Sequence, residues 1–154
     1  MSYNNNKWHR RYLNLAKEVS TFSKDPSTKV GAVVVNDLGQ IVGTGYNGFP
    51  RGVEDTEDRY NDRETKYKFV VHAEVNAVLL AGDKARGSTL YVYPAFGSPP
   101  VCSECCKVLI QADIKRIVGF TAEQNEKTKR WEESIGISRI MCAEAGIELV
   151  EVPV

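Results

Sequence analysis

Apolar positions along the 154-residue chain recur with two different periods, and the alternation between them outlines a fold. Trp8, Tyr12, Leu15, Ala16, Val19 and Phe22 are spaced as one face of a helix from about Lys7 to Ser23, and that stripe is read as core. His9, between these positions, is read as a surface or packing histidine. Asp25-Pro26 ends the helix, because proline lacks an N–H and pushes its predecessor out of helical backbone. The β-branched run from Lys29 to Val35 predicts a buried strand, Asn36 to Gly39 a turn, and Gln40 to Tyr46 an antiparallel partner. From Asn47 to Lys68 no period is sustained, and eleven charges surround Gly48, Pro50 and Gly52. This predicts an irregular loop, either solvated or in contact with substrate, effector or another subunit.

Helix and strand then alternate. Val75, Val78 and Leu79 predict a helix from His72 that stops at Gly82, and Thr89 to Tyr93 a strand. After a Gly/Pro-rich loop from Ala95 to Pro100, Val108, Leu109 and Ala112 mark one face of a helix from Cys102 to Ala112. Arg116 to Phe120 reads as a strand, Glu126 to Ala145 as one long helix and Ile147 to Val152 as a last strand. A hairpin followed by helix-strand alternation predicts an α/β fold with a mixed sheet and helices on both faces. The length suits one domain spanning residues 1–154, with a core that needs no disulfides.

Composition narrows the function classes. Twenty basic and twenty acidic residues leave a formal charge of zero, so no global field favours a polynucleotide, and a small substrate is expected instead. There is no apolar run of about 18 residues and no apolar signal core near the N-terminus, so a cytoplasmic location without membrane contact is expected. In that compartment four cysteines are expected to be reduced, as ligands or packed apolar groups.

The candidate chemistry lies in two short stretches. His72 and Glu74 flank Ala73, and thirty positions after His72, Cys102 and Cys105 enclose Ser103 and Glu104. Cysteines three apart share a face on the first turn of a helix and can grip one ion; with His72 they make three ligands and leave a fourth tetrahedral position open. His72 and Glu74, two apart, would lie about 200° apart around a helix axis, so both can serve one ion only at a helix end. Two helix N-termini are therefore expected to converge on the metal, where their dipoles would lower the thiol pKa values. Glu74 is then the candidate proton shuttle. A closed structural zinc site would need His9, Cys106 or Cys142 as fourth ligand, and a redox Cys-x-x-Cys pair would leave His72 and Glu74 without a role. Cys106 is read as a packed cysteine.

The pair of stretches resembles the H-x-E…P-C-x-x-C signature of zinc nucleobase deaminases. Further stretches resemble one branch, the deoxycytidylate deaminases: Ser23-Lys24-Asp25-Pro26 with Val30-Gly31-Ala32, Gly45 to Pro50, Thr65-Lys66-Tyr67 before His72, and Ile110-Gln111-Ala112. The similarity runs from about Tyr12 to Phe120. It implies a cytidine deaminase-like three-layer α/β/α sandwich around a five-stranded mixed sheet, and hydrolysis of dCMP to dUMP by a zinc-activated water, supplying thymidylate synthesis. By the same resemblance His72, Cys102 and Cys105 match the Zn²⁺ ligands and Glu74 the proton shuttle. Asn47 matches a sugar-hydroxyl contact, read otherwise as a turn residue. Ala73 is grouped with the substrate contacts, and Ser23 and Lys24 are candidate phosphate contacts, read otherwise as a solvated helix end. Hexamers regulated by dCTP and dTTP, with Mg²⁺ accompanying the nucleotide, are further implications of the resemblance.

The chain departs from the family pattern in two places. Val101 stands between Pro100 and Cys102, and the Pro94 to Pro100 loop is long; after Phe120, the stretch Trp131 to Ala145 matches no family motif. Two alternatives stay open: a deaminase of another substrate (a cytosine nucleoside or CMP, tRNA adenosine, a pterin or flavin precursor), or a non-catalytic zinc-stabilised interaction domain.

Overall fold

The structure is a computed structural model that describes residues 5–154. Its centre is a five-stranded sheet in the order β2-β1-β3-β4-β5, built from β1 (Gly31–Val35), β2 (Ile41–Tyr46), β3 (Thr89–Tyr93), β4 (Arg116–Phe120) and β5 (Glu148–Val152). β1 runs antiparallel to both β2 and β3, whereas β3, β4 and β5 are parallel, so the sheet is mixed. The strand side chains alternate between two cores. Val33, Val35, Tyr91 and Val118 pack with Leu13, Ala16 and Val19 of α1 (Asn5–Ser20) on one face. On the other, Ala32, Val34, Leu90, Val92 and Ile117 pack with α4 (Ala73–Ala81), α5 (Ser103–Gln111) and α7 (Glu132–Ala145). The layers are thus helix, sheet and helix, as expected.

Helix α4 lies unusually close to the sheet. A Cβ on Gly45 would come within 2.4 Å of the Ala77 nitrogen, and one on Gly43 within 2.3 Å of the Ala77 carbonyl oxygen. Glycines on β2 opposite Ala73, Ala77 and Ala81 of α4 therefore let the two backbones meet, and this fixes where α4 begins.

Several expectations need correction. The segment expected to be an irregular loop contains two short helices, α2 (Glu57–Asn61) and α3 (Arg63–Phe69). Thr56 and Asp62 cap them by accepting from the Arg59 and Thr65 N–H groups, and neither helix is long enough to display a period. The long helix near the C-terminus is broken into α6 (Glu126–Arg130) and α7, with Trp131 at the break. The first helix stops at Ser20, and Trp8 and Phe22 are 44% and 62% exposed; Leu13, outside the apolar stripe, fills the core instead. Leu79 of α4 is likewise exposed. His9 is buried with Nδ1 2.7 Å from the Tyr91 hydroxyl, and Cys106 is fully buried with its sulfur 3.6 Å from that of Cys142. No helix among the described residues is long and apolar enough to cross a membrane.

Candidate active site

Both chemical stretches sit at helix starts. His72 is the N-cap of α4, with extended backbone at φ −74° and ψ 152°, and Cys102 is the N-cap of α5, at φ −73° and ψ 165°. The Cys102 sulfur accepts from the Cys105 N–H at 3.5 Å, so it caps its own helix. The helix ends meet: His72 Nδ1 lies 3.1 Å from the Cys105 sulfur and 3.5 Å from that of Cys102. The ligand atoms of His72, Cys102 and Cys105 all lie within 4.8 Å of one another, the one such cluster of histidine, cysteine and acidic groups among the described residues. Zinc bonds of about 2.3 Å to sulfur and about 2.0 Å to nitrogen, in tetrahedral array, put N and S about 3.5 Å apart. The donor set and its spacing therefore fit zinc, with Cys105 needing only a small retreat.

The electrostatics agree with that fit. The Cys105 thiol, the His72 ring and the Cys105 N–H all stabilise a Cys102 thiolate, which brings this group down to about 4 against the burial that opposes it. Cys105, sharing that proton and itself buried, is pushed upward, and the hydrogen bond to Cys102 raises His72. The three side chains thus share protons that a divalent cation would displace on binding. Glu74, in the first turn of α4, is buried to 5% exposure, and desolvation raises its carboxyl above the usual range.

His72, Glu74 and Cys102 border a cavity of about 640 Å³, a volume suited to a small ligand. Ala73 and Asn47 are on its wall too. Asn47 is nearly buried and braced at both ends: its Oδ1 accepts from the Val30 N–H at 2.8 Å, and its Nδ2 donates to the Thr28 carbonyl at 2.9 Å. Ser23 and Lys24 do not reach the cavity. The turn after α1 buries Ser23, whose hydroxyl donates to the Asn47 carbonyl at 2.9 Å, and directs Lys24 outward to pair with Asp55 at 2.8 Å. Their expected role as phosphate contacts is therefore corrected: Ser23 braces Asn47 from behind, and Lys24 is a surface residue.

The wall carries cations that sequence reasoning did not assign. Lys66 of α3 is buried, donating to the Ser27 hydroxyl at 2.7 Å and pairing with Asp25 at 3.3 Å. Burial pushes the Asp25 carboxyl up, but the Ser27 and Thr28 N–H groups and the Lys66 ammonium outweigh it and hold Asp25 below the ordinary carboxylate range. Arg63, Lys127 and Arg130 also border the cavity, with Phe96 and Trp131. Only Thr65-Lys66-Tyr67 gave a signal, as a motif match; the others are ordinary surface letters until folding brings them together.

Residues 6–121 match the model of the cytidine and deoxycytidylate deaminase zinc-binding region. The chain belongs to that family. Among curated deaminases it is 38% identical over 150 residues to the Aliivibrio fischeri protein described as an uncharacterized deaminase in luxG 3'region, covering 96% of this chain and 95% of that one. To the deoxycytidylate deaminase of Mus musculus it is 33% identical over 148 residues, covering 91% of this chain and 76% of the other. Among solved deaminases, the dCMP deaminase of cyanophage S-TIM5 in complex with dCMP and dUMP aligns with 99% of this chain and 100% of its own, at 27% identity and a TM-score of 0.69. The five-stranded mixed sheet is thus the cytidine deaminase-like fold, and the family's zinc-binding region contains the His/Cys/Cys cluster.

Proposed function

We propose that the protein hydrolyses dCMP to dUMP and ammonia. The observation that carries this reading is the convergence of His72, Cys102 and Cys105 within 4.8 Å beside the buried carboxyl of Glu74, on the wall of a nucleotide-sized cavity. The choice of dCMP rests on the similarity to proteins named deoxycytidylate deaminase and to one solved with dCMP and dUMP.

In this reading His72, Cys102 and Cys105 hold zinc, which when bound supplies a water acidified toward neutral pH as the nucleophile. Glu74 takes the proton released as that water adds to the pyrimidine carbon bearing the amino group, and returns it to the ring nitrogen. The same carboxyl then helps protonate the departing amine, so that dCMP and water give dUMP and ammonia. A carboxyl whose basicity burial has raised suits both directions of transfer. Ala73 and Asn47 line the path of base and sugar; Asn47, held rigid by Val30 and Thr28, is the sugar contact.

The reading extends to a cytoplasmic homo-oligomer, a hexamer by the family resemblance, with dCTP and dTTP as effectors and Mg²⁺ accompanying them. Association is supported by apolar side chains left exposed on the helical layer, including Leu79 and Leu80 of α4 and Ile140 of α7. Ammonia release from dCMP, CMP, dCTP, deoxycytidine and a tRNA anticodon stem, measured side by side on the zinc-loaded protein, tests the central assignment. Turnover of dCMP above the others is expected; no turnover of dCMP at saturating concentration would overturn it.

A further inference from the structure

The three residues assigned as zinc ligands differ in how their backbones are held. Cys105 lies inside α5, and His72 follows Val71, whose N–H and carbonyl both bond to Gly48, at 2.8 and 3.1 Å. Cys102 has neither support, because it precedes its helix and belongs to no strand. It is held from α7 instead. The Ser138 hydroxyl donates to the Val101 carbonyl at 3.0 Å, and the Ser134 hydroxyl accepts from the Ser103 N–H at 2.8 Å. Peptide units are planar, so the Val101 carbonyl marks the plane before the Cys102 Cα and the Ser103 N–H the plane after it. Holding both planes fixes φ and ψ of Cys102, at −73° and 165°, and leaves its sulfur only the rotation about Cα–Cβ.

The two serines are not equivalent. The plane after Cys102 is held a second time by α5 itself, through the Cys106 N–H on the Cys102 carbonyl at 2.9 Å. The plane before it is held, among the described residues, by Ser138 on the Val101 carbonyl. Ser138 is fully buried and Val101 is 1% exposed, so solvent does not stand in for that hydroxyl. Val101 also occupies the position where the P-C-x-x-C signature has proline, whose ring locks its own φ; valine lacks that lock, and the bond from Ser138 restrains it. Ser134, Ser138 and Cys142 recur at every fourth position and so share one face of α7. That face meets the start of α5, where the Cys106 thiol lies 3.7 Å from the Ser138 carbonyl and 3.6 Å from the Cys142 sulfur. All three α7 residues lie beyond residue 121, where the match to the family model ends.

We infer that Ser138, seconded by Ser134, is a positioning residue of the metal site: the pair clamps the backbone on both sides of Cys102, and so sets how tightly the His/Cys/Cys cluster binds zinc. Hydrogen bonds behind a ligand fix its orientation before the ion arrives, which removes an ordering cost from binding. Neither serine borders the cavity, so the clamp acts through Cys102 and not on the substrate. The inference rests on the assignment of His72, Cys102 and Cys105 as ligands, and adds that part of their support comes from outside the shared zinc-binding region.

The test is the zinc affinity of the full chain, measured by competition with a chelator, together with the visible spectrum of the Co²⁺-substituted protein and the steady-state constants for dCMP. Ser138→Ala is expected to weaken zinc binding roughly 10- to 100-fold and to change the cobalt spectrum, which reports ligand geometry. In the zinc-loaded variant kcat should fall while KM stays within about twofold, since no substrate contact is removed. Ser134→Ala should act in the same direction by a smaller factor, and Ser134→Thr, which keeps the hydroxyl, should restore the wild-type affinity; these two carry the test if Ser138→Ala does not fold. Val33→Ala, in the core on the far face of the sheet, should lower the melting temperature and leave zinc affinity unchanged. Wild-type affinity and spectrum in folded Ser138→Ala or, where that does not fold, in Ser134→Ala would overturn the inference, as would an equal loss of affinity in Val33→Ala. Failure of the wild-type protein to bind zinc would instead overturn the ligand assignment, so the two failures are distinct.

Discussion

On one part of the cavity wall His72 and Cys102 are helix caps whose positions are set by α4 and α5, whereas on another Lys127 and Arg130 belong to the short helix α6 and Trp131 stands at its break with α7. The first part is tied to the sheet by backbone approach: Gly43 and Gly45 admit α4 so closely that no side chain fits between. The α6–α7 part of the wall is assembled from side chains, a stacked ring pair and a few hydrogen bonds to loop carbonyls. The first construction leaves almost no freedom to vary without losing the metal. The second is held by side chains that can be exchanged one at a time, and the matched family region, residues 6–121, holds all of the first and only part of the second.

Substitutions can break this contrast at graded strength. Cys102→Ala should have the largest effect, since it removes a ligand and the cap of α5 together: metal content and turnover should fall in parallel, with a lower melting temperature. Full activity with metal retained would show that the ion is held elsewhere. Glu74→Gln keeps the shape and removes the proton carrier; turnover should fall by about 10²- to 10⁴-fold. Retained turnover would move the proton transfer to another group.

Lys66→Met should act on the wall and not on the metal. It leaves the Asp25 carboxylate buried without its cation, held only by neutral donors from Ser27, Thr28 and Asn47, a cost of about 3 kcal/mol in urea unfolding at neutral pH, with metal content unchanged. Because the folded Asp25 group is held below its ordinary value, the stability it contributes is present above the unfolded value and lost as pH falls through the folded one. The gap between wild type and variant should therefore narrow below about pH 4. A gap independent of pH would point to lost packing instead. Lys24→Ala should have the smallest effect, leaving KM for dCMP unchanged, because its exposed partner is Asp55 and it does not border the cavity.

The same contrast decides what could be read from the sequence. The bounds of β3 and β4 and the start of α4 follow from β-branched runs, glycine stops and the demand that residues two apart serve one ion. The metal cluster was legible because its members occur as two short local patterns. Lys66 was seen only as part of a motif and its buried pairing was not foreseen, since Asp25 lies forty-one positions away. Arg63, Lys127 and Arg130 come from segments whose charges look like those of any solvated surface. Ser23 and Lys24 misled because they adjoin Asp25 in sequence, yet the turn after α1 directs Lys24 to Asp55 and leaves Ser27 and Thr28 on the wall. Trp8 and Phe22 obeyed helical spacing, but the sheet meets the face that carries Leu13, Ala16 and Val19.

The central claim separates holding the metal from moving the proton, and the zinc content of purified Glu74→Gln tests it most directly. One zinc per chain in a protein that no longer releases ammonia from dCMP is the predicted result. Loss of zinc in step with activity would contradict it, because Glu74 would then belong to the metal's own support.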